Sequence, residues 1–318
     1  MPKVTVTPHG IKAGRSAGMN RKPVKRGKAK GWTASAARRN RDFLKSIDPL
    51  HLTGKAVSAS LTLGRDTVLT PSDMQRMREA FFDRLRREGV VRHHWVMEFQ
   101  KDGTPHLHMM IYFPADWSKG DPTRAVLWHW TEVADHTGAS LRGQHVVPVH
   151  ALSGWLQYLA KHGARSAEHY QRSMPSGWEN PGRMWGKSGE WPTLEEAFEI
   201  DPASFYALRR WLRNWRLADA RSALRKADAW NDPKGRAIAL RRISSARSLL
   251  NRGDRQKSEL MGFDEWAGPS VVLPMMEALA GRPGALLRDW SKAGEVPTQP
   301  PLTGDVKDRR EGGAGHAR

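Results

Sequence analysis

The chain has 318 residues and is strongly basic, with 52 lysines and arginines against 33 acidic residues and a formal net charge of +19. It contains no cysteine, which excludes a disulfide framework and a thiolate metal site. No apolar run approaches the roughly 18 residues needed to cross a bilayer, and no secretory leader opens the sequence. We therefore expect a cytoplasmic protein with no membrane partner.

The positive charge is concentrated in two blocks. Residues 1–41 contain 12 lysines and arginines and no acidic residue, and residues 206–252 contain 13 basic residues and three acidic ones. Such blocks suit a polyphosphate partner, because each neutralised phosphate releases a bound counterion. A nucleic acid is therefore the predicted partner, and a solubilising role for the charge is the alternative.

Both ends of the chain are poor in the residues that build a core. Residues 1–41 are mostly Lys, Arg, Gly, Ala and Pro, so we expect a disordered basic arm. Residues 281–318 are rich in Pro and Gly and predict a disordered tail. Between them, residues 50–192 are expected to form the principal domain, and residues 193–280 a basic helical region.

The apolar periodicity of the central part changes several times. A strand pattern covers 56–63, and a helix pattern covers 71–89. Two further strand patterns, 91–100 and 106–113, are joined by a Lys-Asp-Gly turn typical of hairpins. A helix over 122–136, a strand over 145–149 and a helix over 151–162 follow. This βαββαβ order predicts an α+β fold, with a ferredoxin-like antiparallel sheet and helices packed on one of its faces.

The basic segment 194–251 is rich in Arg, Ala and Leu and is interrupted only near Asn231, which predicts a pair of basic helices. Trp211 and Trp215 lie four residues apart in it. Their spacing favours packing between the two helices, and stacking on nucleic-acid bases is the alternative.

A histidine pair, His106 and His108, lies on the strand 106–113. Alternate residues of a strand share a face, so both imidazoles point away from the apolar side of the strand. A turn with Gly103 in the left-handed conformation pairs Glu98 with His106 and places its carboxylate on the same face. On a sheet face predicted to be uncovered, these groups suit Mg²⁺, Mn²⁺ or Zn²⁺ with positions left for substrate.

Other interpretations of the histidines remain open at this stage. The chain has 13 of them, and a His-x-His pair is also compatible with two satisfied surface side chains. His94 lies four residues before Glu98 on the same predicted strand and therefore on the same face, which makes it a further candidate for lining the site. We nevertheless expect both His93 and His94 to be exposed to solvent.

Tyr158 and Lys161 are candidate catalytic residues on the helix 151–162. They lie three positions apart and therefore project from one side of the helix. A phenol with a pKa of about 10 is a weak nucleophile at neutral pH and needs a polarised electrophile and a nearby positive charge. The metal and Lys161 would supply these. The alternative is a core tyrosine beside a solvated lysine.

Together these residues resemble the HUH endonucleases, in particular the rolling-circle replication initiators of small plasmids and single-stranded-DNA phages. The resemblance covers roughly residues 50–190. It rests on His106-Leu107-His108 after Glu98, on Tyr158 and Lys161 about fifty residues later, on Ser60-Leu61-Thr62-Leu63 as the first motif and on Gly182-Arg183-Met184-Trp185-Gly186.

The resemblance implies Glu98, His106 and His108 as ligands of Mg²⁺ or Mn²⁺. It implies Tyr158, with Lys161, as the nucleophile that nicks single-stranded or origin DNA. The products would be a 5′-phosphotyrosyl link and a free 3′-OH. The spacing before the histidine pair varies in this family, so Gln100 is an alternative ligand.

Some members of the family use a second tyrosine, for which Tyr170 is the candidate here, although no lysine follows it at the matching offset. The segment from Gly182 to Ser188 is one residue short of a phosphate loop, which argues against an ATPase and predicts a host helicase as partner. A relaxase or single-strand transposase would use the same residues. A non-enzymatic nucleic-acid-binding protein and a metal hydrolase with an activated water are the other classes.

Overall fold

The computed structural model describes residues 2–15, 31–64, 67, 69–149, 152–248 and 263–266. In these ranges the helices are α1 (Ala34–Ser46), α2 (Pro71–Arg87), α3 (Pro122–Ala134), α4 (Leu152–Gly163), α5 (Pro202–Ala229) and α6 (Pro233–Ser248). The strands are β1 (Pro2–Thr7), β2 (Gly10–Arg15), β3 (Lys55–Leu61), β4 (Arg92–Phe99), β5 (Pro105–Phe113), β6 (His145–Val149), β7 (Trp185–Gly189), β8 (Glu196–Glu199) and β9 (Phe263–Glu265).

The central sheet is antiparallel and has the strand order β6-β3-β5-β4-β7. The βαββαβ unit consists of β3, α2, β4, β5, α3 and β6. Its fourth strand lies beside its first, and its third strand lies between its first and second. This is the ferredoxin-like order, so the predicted α+β fold class is confirmed, and β7 extends the sheet beyond β4.

Helix α2 begins where the sequence predicts because its N-terminus is capped. The side chain of Thr70 accepts a hydrogen bond from the backbone N–H of Asp73, and the Asp73 side chain accepts one from the backbone of Thr70. Asp121 caps α3 by accepting a hydrogen bond from the backbone N–H of Thr123. Local side-chain chemistry therefore fixes the starts of both helices.

The hairpin between β4 and β5 has the predicted register. Gly103 has a φ of 86°, and the backbone N–H of Gln100 donates to the carbonyl of Thr104 at 2.9 Å. Glu98 is consequently paired with His106. The expected placement of the carboxylate opposite the first histidine is confirmed.

Helices cover both faces of the central sheet. The main core lies under α2 and α3 and includes Met74, Phe81, Leu107, Ile111 and Trp130. On the other face, α1 and α4 contribute to a second cluster that includes Leu44, Met110, Trp155, Tyr158 and Leu159. The expectation that this second face is uncovered was wrong, because the N-terminal part of the chain forms α1 and packs beside α4.

The N-terminal residues form a second antiparallel sheet in the order β8-β1-β2-β9. Every second side chain of β1 and β2 faces α5. These side chains are Val4, Val6, Ile11 and Ala13, and they pack with Phe205, Leu208 and Leu212. The disordered arm predicted for residues 1–41 was therefore wrong for residues 2–15 and for α1. Residues 16–30 lie outside the described ranges, as does the predicted tail 281–318.

The predicted pair of basic helices is present as α5 and α6, which pack together through Leu217, Ala220, Ile243 and Ala246. Trp211 and Trp215 stack on each other with ring centroids 6.3 Å apart. They contact the core of the second sheet, so their predicted packing between the two helices was wrong. None of the helices in the described ranges combines the length and the apolar character needed to span a membrane.

Candidate functional site

Glu98, His106 and His108 form a buried cluster on the β4–β5 hairpin. One ligand atom from each residue lies within 4.8 Å of the others. The Nε2 atoms of the two histidines are 2.7 Å apart, and Nε2 of His108 is 3.6 Å from Oε2 of Glu98. The structure therefore brings together the three side chains that the sequence predicts as metal ligands.

Both imidazoles are neutral, which is the charge state in which histidine binds a metal. Burial lowers the pKa of His106 to about 4 and holds the pKa of His108 well below its usual value. Oγ of Ser60 lies 2.8 Å from Nδ1 of His108. When this Nδ1 carries the proton and donates it to Ser60, the lone pair of Nε2 faces the cluster. Two imidazole nitrogens and a carboxylate that converge in this way fit a divalent cation.

The carboxylate of Glu98 also accepts hydrogen bonds from two arginines. Nη1 of Arg165 donates to its Oε2, and Nε of Arg172 donates to its Oε1 at 3.1 Å. Arg172 is itself buried and donates to the carbonyls of His162 and Ser166, at 3.1 and 3.2 Å, at the C-terminal end of α4. A cation bound to Oε2 of Glu98 therefore competes with Arg165 for that oxygen.

Tyr158 lies on α4 with its phenol packed against the metal-binding strand. Its Oη is 2.9 Å from Nδ1 of His94 and 3.4 Å from the backbone oxygen of His108. Burial raises the pKa of the Tyr158 phenol well above its usual value of 10.0, and the negative charge of Glu98 adds to this shift. In this structure Tyr158 is therefore a protonated phenol and a hydrogen-bond donor.

The partner of Tyr158, His94, is held by Asn40 of α1. Oδ1 of Asn40 lies 2.8 Å from Nε2 of His94, and Nδ2 of Asn40 donates to the carbonyl of His162 at 3.2 Å. Because the amide nitrogen is used on a carbonyl, the amide oxygen faces His94, and Nε2 of His94 is the protonated nitrogen. Nδ1 of His94 is then free to accept the proton of Tyr158.

The expected exposure of His93 and His94 was wrong. His94 lies between strand β7 and helix α1, with its ring 5.6 Å from that of Phe43 and 6.1 Å from that of Trp185. His93 points to the opposite face, where its ring is 4.5 Å from that of Phe82. His94 is buried because β7 and α1, which the sequence patterns did not predict, cover this part of β4, whereas His93 is buried against α2 on the opposite face.

The remaining predicted residues lie at different distances from the cluster. Lys161 is exposed, but its charge contributes to the lowered pKa values of His106 and His108, so it lies near them. Gln100 is exposed and donates to Oγ1 of Thr62, outside the cluster. Tyr170 is 61% exposed on a short 3-10 turn.

His162 is a buried residue of the site that the sequence patterns missed. Its ring centroid lies 4.5 Å from that of His108 and 4.7 Å from that of Tyr158. Its position one helical turn after Tyr158 was the available signal. Asn40 and Arg172 carried no comparable signal, because they lie in segments for which no element was predicted.

The segment from Gly182 to Ser188 is not a phosphate loop. Such a loop leads from a strand into a helix, whereas these residues lead into the edge strand β7. A Cβ atom on Gly186 would lie 2.8 Å from Nε1 of Trp95, so this glycine allows β7 to approach the Trp95 ring. The second glycine of the motif is thus explained by packing.

Comparison with known proteins adds to this geometry. The replication-associated protein ORF2/G2P family matches residues 56–166. Replication-associated protein G2P of Pseudomonas phage Pf3 is 38% identical over 251 residues, which are 77% of this chain and 84% of that protein. The chain belongs to this ORF2/G2P family.

The similarity to replication proteins extends over most of the chain. A putative replication protein of Xylella fastidiosa strain 9a5c is 39% identical over 298 residues, which are 89% of this chain and 98% of that protein. The range matched by the family runs from β3 to just beyond α4, so it contains the histidine cluster and Tyr158. No solved structure matches the chain.

Proposed function

We propose that this ORF2/G2P protein is a rolling-circle replication initiator of the HUH type, which nicks single-stranded origin DNA with Tyr158. The observation that carries the proposal is the contact between Tyr158 and the strand that holds the metal cluster. The names of the similar proteins support a role in replication. Unwinding of the duplex is assigned to a host helicase.

In the proposed reaction, Oη of Tyr158 attacks the scissile phosphorus, and the bond from phosphorus to the 3′ oxygen breaks with its electron pair going to that oxygen. The proton that leaves the phenol is balanced by the one that the departing 3′ oxygen takes up. The products are a 5′-phosphotyrosyl link and a free 3′-OH that primes synthesis. Glu98, His106 and His108 would hold Mg²⁺ or Mn²⁺, which when bound supplies Lewis-acid polarisation of the phosphate. Lys161 and Arg165 place positive charge beside the anionic substrate.

The buried state of Tyr158 implies a local rearrangement when DNA binds. The side chain is 5% exposed, and Arg165 occupies Oε2 of Glu98. A phosphate that reaches Oη must therefore displace part of the contacts around α4. Arg165 is the side chain to move, because it is 16% exposed whereas Arg172 is fully buried.

The test is formation of a covalent adduct. Single-stranded DNA from the origin of the replicon that encodes the chain, labelled on the 3′ side of the nick, is incubated with the protein and Mn²⁺ and resolved on a denaturing gel. Tyr158→Phe is expected to eliminate the adduct because the attacking oxygen is removed. Tyr170→Phe is expected to leave the rate within about tenfold, about 1.4 kcal/mol on the barrier.

A peptide map of the trapped adduct identifies the attached residue. DNA on Tyr170 would overturn the assignment of Tyr158, and DNA on both would indicate a two-tyrosine mechanism. Cleaved strands without attached protein would indicate hydrolysis by an activated water. Binding without cleavage would indicate a non-enzymatic DNA-binding protein.

A further inference from the structure

A cleft of about 530 Å³ lies between helix α2 and the strands β4 and β7. Its lining includes Arg78, Phe82, His93, Trp95, Arg183 and Ser188. Trp95 has the opposite parity to Glu98 on β4, so the cleft lies on the other face of the sheet from the metal cluster. The nicking chemistry described above does not use it.

Arg78 is the unusual residue of this cleft, because it is a buried cation that forms no ion pair with a carboxylate among the described residues. It is 7% exposed, and its Cζ lies 4.2 Å from the centroid of the Trp95 ring. Its Nη1 donates to the carbonyl of Arg183 at 3.2 Å. Among the described residues no acidic side chain forms an ion pair with Arg78, and the nearby Glu79 accepts from Nε2 of Gln75 at 2.8 Å.

The charge of Arg78 persists in spite of its burial. Burial lowers its pKa to about 10, so the guanidinium remains protonated at neutral pH. Burying a charge without a paired counter-charge is costly, and a guanidinium offers several donors in a planar fork that matches phosphate oxygens. A buried cation of this kind suits an anionic ligand such as a phosphate.

The surroundings of Arg78 add to its suitability for a phosphate. Arg86, Arg92 and Arg183 also line the cleft, so that four guanidinium groups and the ammonium group of Lys187 stand against the single carboxylate of Glu79 in the lining. Of these, Arg86 also forms an ion pair with Asp83 at 2.9 Å. Ser188, an exposed residue of β7, also lines the cleft. Phe82 and His93, with ring centroids 4.5 Å apart, provide an apolar wall for a sugar or a base.

We propose that this cleft is a phosphate-binding site centred on Arg78, and that its ligand is a backbone phosphate of DNA outside the nick site. The cleft lies against β7, the edge strand of the sheet, so a DNA strand can pass around this edge from one face to the other. A free nucleotide offers the same phosphate chemistry. The inference does not depend on Tyr158, because it concerns binding and not strand cleavage.

The test compares Arg78→Met with Arg87→Met, which removes an exposed arginine of the same helix outside the cleft. Both are made in a Tyr158→Phe background, so that covalent attachment does not contribute to the measured affinity. At about 0.1 M salt, Arg78→Met is expected to weaken binding of single-stranded DNA about tenfold and to make the log K versus log salt slope shallower by about 0.7. Equal effects of the two substitutions on both quantities would overturn the proposal in favour of general electrostatic attraction.

A second arm separates the two sources of phosphate. Inorganic pyrophosphate at millimolar concentration is added, and the thermal unfolding of the wild type and of Arg78→Met is compared. Stabilisation that requires Arg78, together with a DNA affinity that is unchanged in Arg78→Met, would overturn DNA as the ligand and assign the phosphate site to a free nucleotide. If Arg78→Met keeps both the DNA affinity of the wild type and its stabilisation by pyrophosphate, the proposed site is overturned altogether.

The Tm of each variant shows whether a loss of DNA affinity results from impaired folding. Without ligand, Arg78→Met is expected to have a Tm equal to or above that of the wild type, because an unpaired buried charge has been removed. If its Tm falls instead, Arg183→Met decides the question, since the Arg183 side chain is exposed. Unchanged DNA affinity in Arg183→Met would then overturn the proposal, and weakened affinity would support it.

Discussion

The protonation state of a few buried side chains determines what the candidate site can do. His106 and His108 are neutral because burial makes the charged imidazolium unfavourable, and neutral imidazole is the form that binds metals. The same burial keeps Tyr158 protonated. The reaction therefore depends on how the two imidazoles are oriented and on the direction in which the phenol of Tyr158 points.

Replacing a single histidine ligand tests the metal cluster. His108→Ala removes one of the three ligands together with the hydrogen bond to Ser60. It is expected to abolish Mn²⁺ binding and to lower the rate of adduct formation by about 10²-fold or more. DNA affinity is expected to change by less than about twofold, since phosphate contacts elsewhere dominate it.

The matched control is His145→Ala, which removes an exposed histidine from the edge strand β6. Calorimetric titration with Mn²⁺ and the adduct gel measure the two effects. Full activity of the wild type in excess EDTA would remove the metal from the mechanism.

The hydrogen bond from Tyr158 to His94 is expected to position the nucleophile. Burial lowers the pKa of His94 to about 3, so its Nδ1 is available as an acceptor at neutral pH. Without it the phenol loses its fixed direction. His94→Gln is therefore expected to slow adduct formation by about ten- to a hundredfold, about 1.4 to 2.7 kcal/mol on the barrier, with DNA affinity unchanged.

His9→Gln is the control for this prediction, because His9 is a buried histidine between β1 and β2 that belongs neither to the metal cluster nor to the cleft around Arg78. His94→Asn offers a second check, since its amide can place an acceptor near the position of Nδ1 and should restore part of the rate. Single-turnover kinetics on the adduct gel provide the measurement. Equal loss in the two glutamine variants would mean that His94 acts only through packing.

At the scale of the elements, local rules were sufficient to predict the hairpin that carries the metal ligands. Gly103 fixed the turn, the turn fixed the register, and strand alternation then placed Glu98 opposite His106. The starts of α2 and α3 followed from capping residues in the same way. These features involve partners only a few residues apart, which is why the sequence predicted them.

Elements that depend on distant partners were not predictable in this way. Strands β1 and β2 contain few apolar residues, and these are buried only because α5, about two hundred residues later, covers them. Asn40 and His94 become neighbours only after α1 packs on the sheet. The residues behind Tyr158 are therefore brought together by contacts that no local sequence pattern specifies.

The second sheet provides a prediction at this scale. Val4 is fully buried between β1 and α5, so Val4→Asp places a carboxylate in an apolar core. It is expected to lower the free energy of unfolding of this region by about 3 kcal/mol or more. Hydrogen exchange of the backbone amides of residues 2–15 measures this loss.

Lys3→Gln is the control, because Lys3 is the exposed neighbour on the same strand and glutamine adds no negative charge opposite Glu199. It is expected to leave the exchange rates nearly unchanged. If both substitutions leave these amides equally protected, or if the amides of the wild type exchange freely, the buried packing of the hairpin would be refuted.

At the scale of the whole molecule, α1 connects the second sheet to the candidate site. On one side, Asn40 holds His94 behind Tyr158. On the other, Nζ of Lys45 contacts Asp264 at 2.7 Å and the carbonyl of Glu265 at 2.8 Å on β9. The contacts continue to α5 through the ion pair between Glu265 and Arg216. The basic helical region is thus linked to the nucleophile by contiguous contacts.

Several buried neutral histidines also make the whole fold sensitive to acid. Burial lowers the pKa of His9 and His93 to about 4 and that of His94 to about 3. In the unfolded chain each takes up a proton near pH 6.5, so between about pH 6.5 and 4 the unfolded state binds more protons than the folded state. The free energy of unfolding is therefore highest above pH 6.5 and falls as the pH is lowered through this window.

The expected slope follows from the number of these groups. Each additional proton bound by the unfolded state contributes about 1.4 kcal/mol per pH unit, so these three histidines contribute at most about 4 kcal/mol per unit. His106, His108 and His162, whose pKa values burial also lowers, add to this slope. Urea unfolding at pH 7.5, 6.0 and 5.0 measures the slope. His93→Gln should reduce it by about one proton, because glutamine does not titrate, whereas replacing the exposed His145 by Gln should not. A free energy of unfolding that is constant from pH 7.5 to 5.0 would show that these histidines are not buried in the neutral form, and would remove the basis for His94 as the acceptor of the Tyr158 proton.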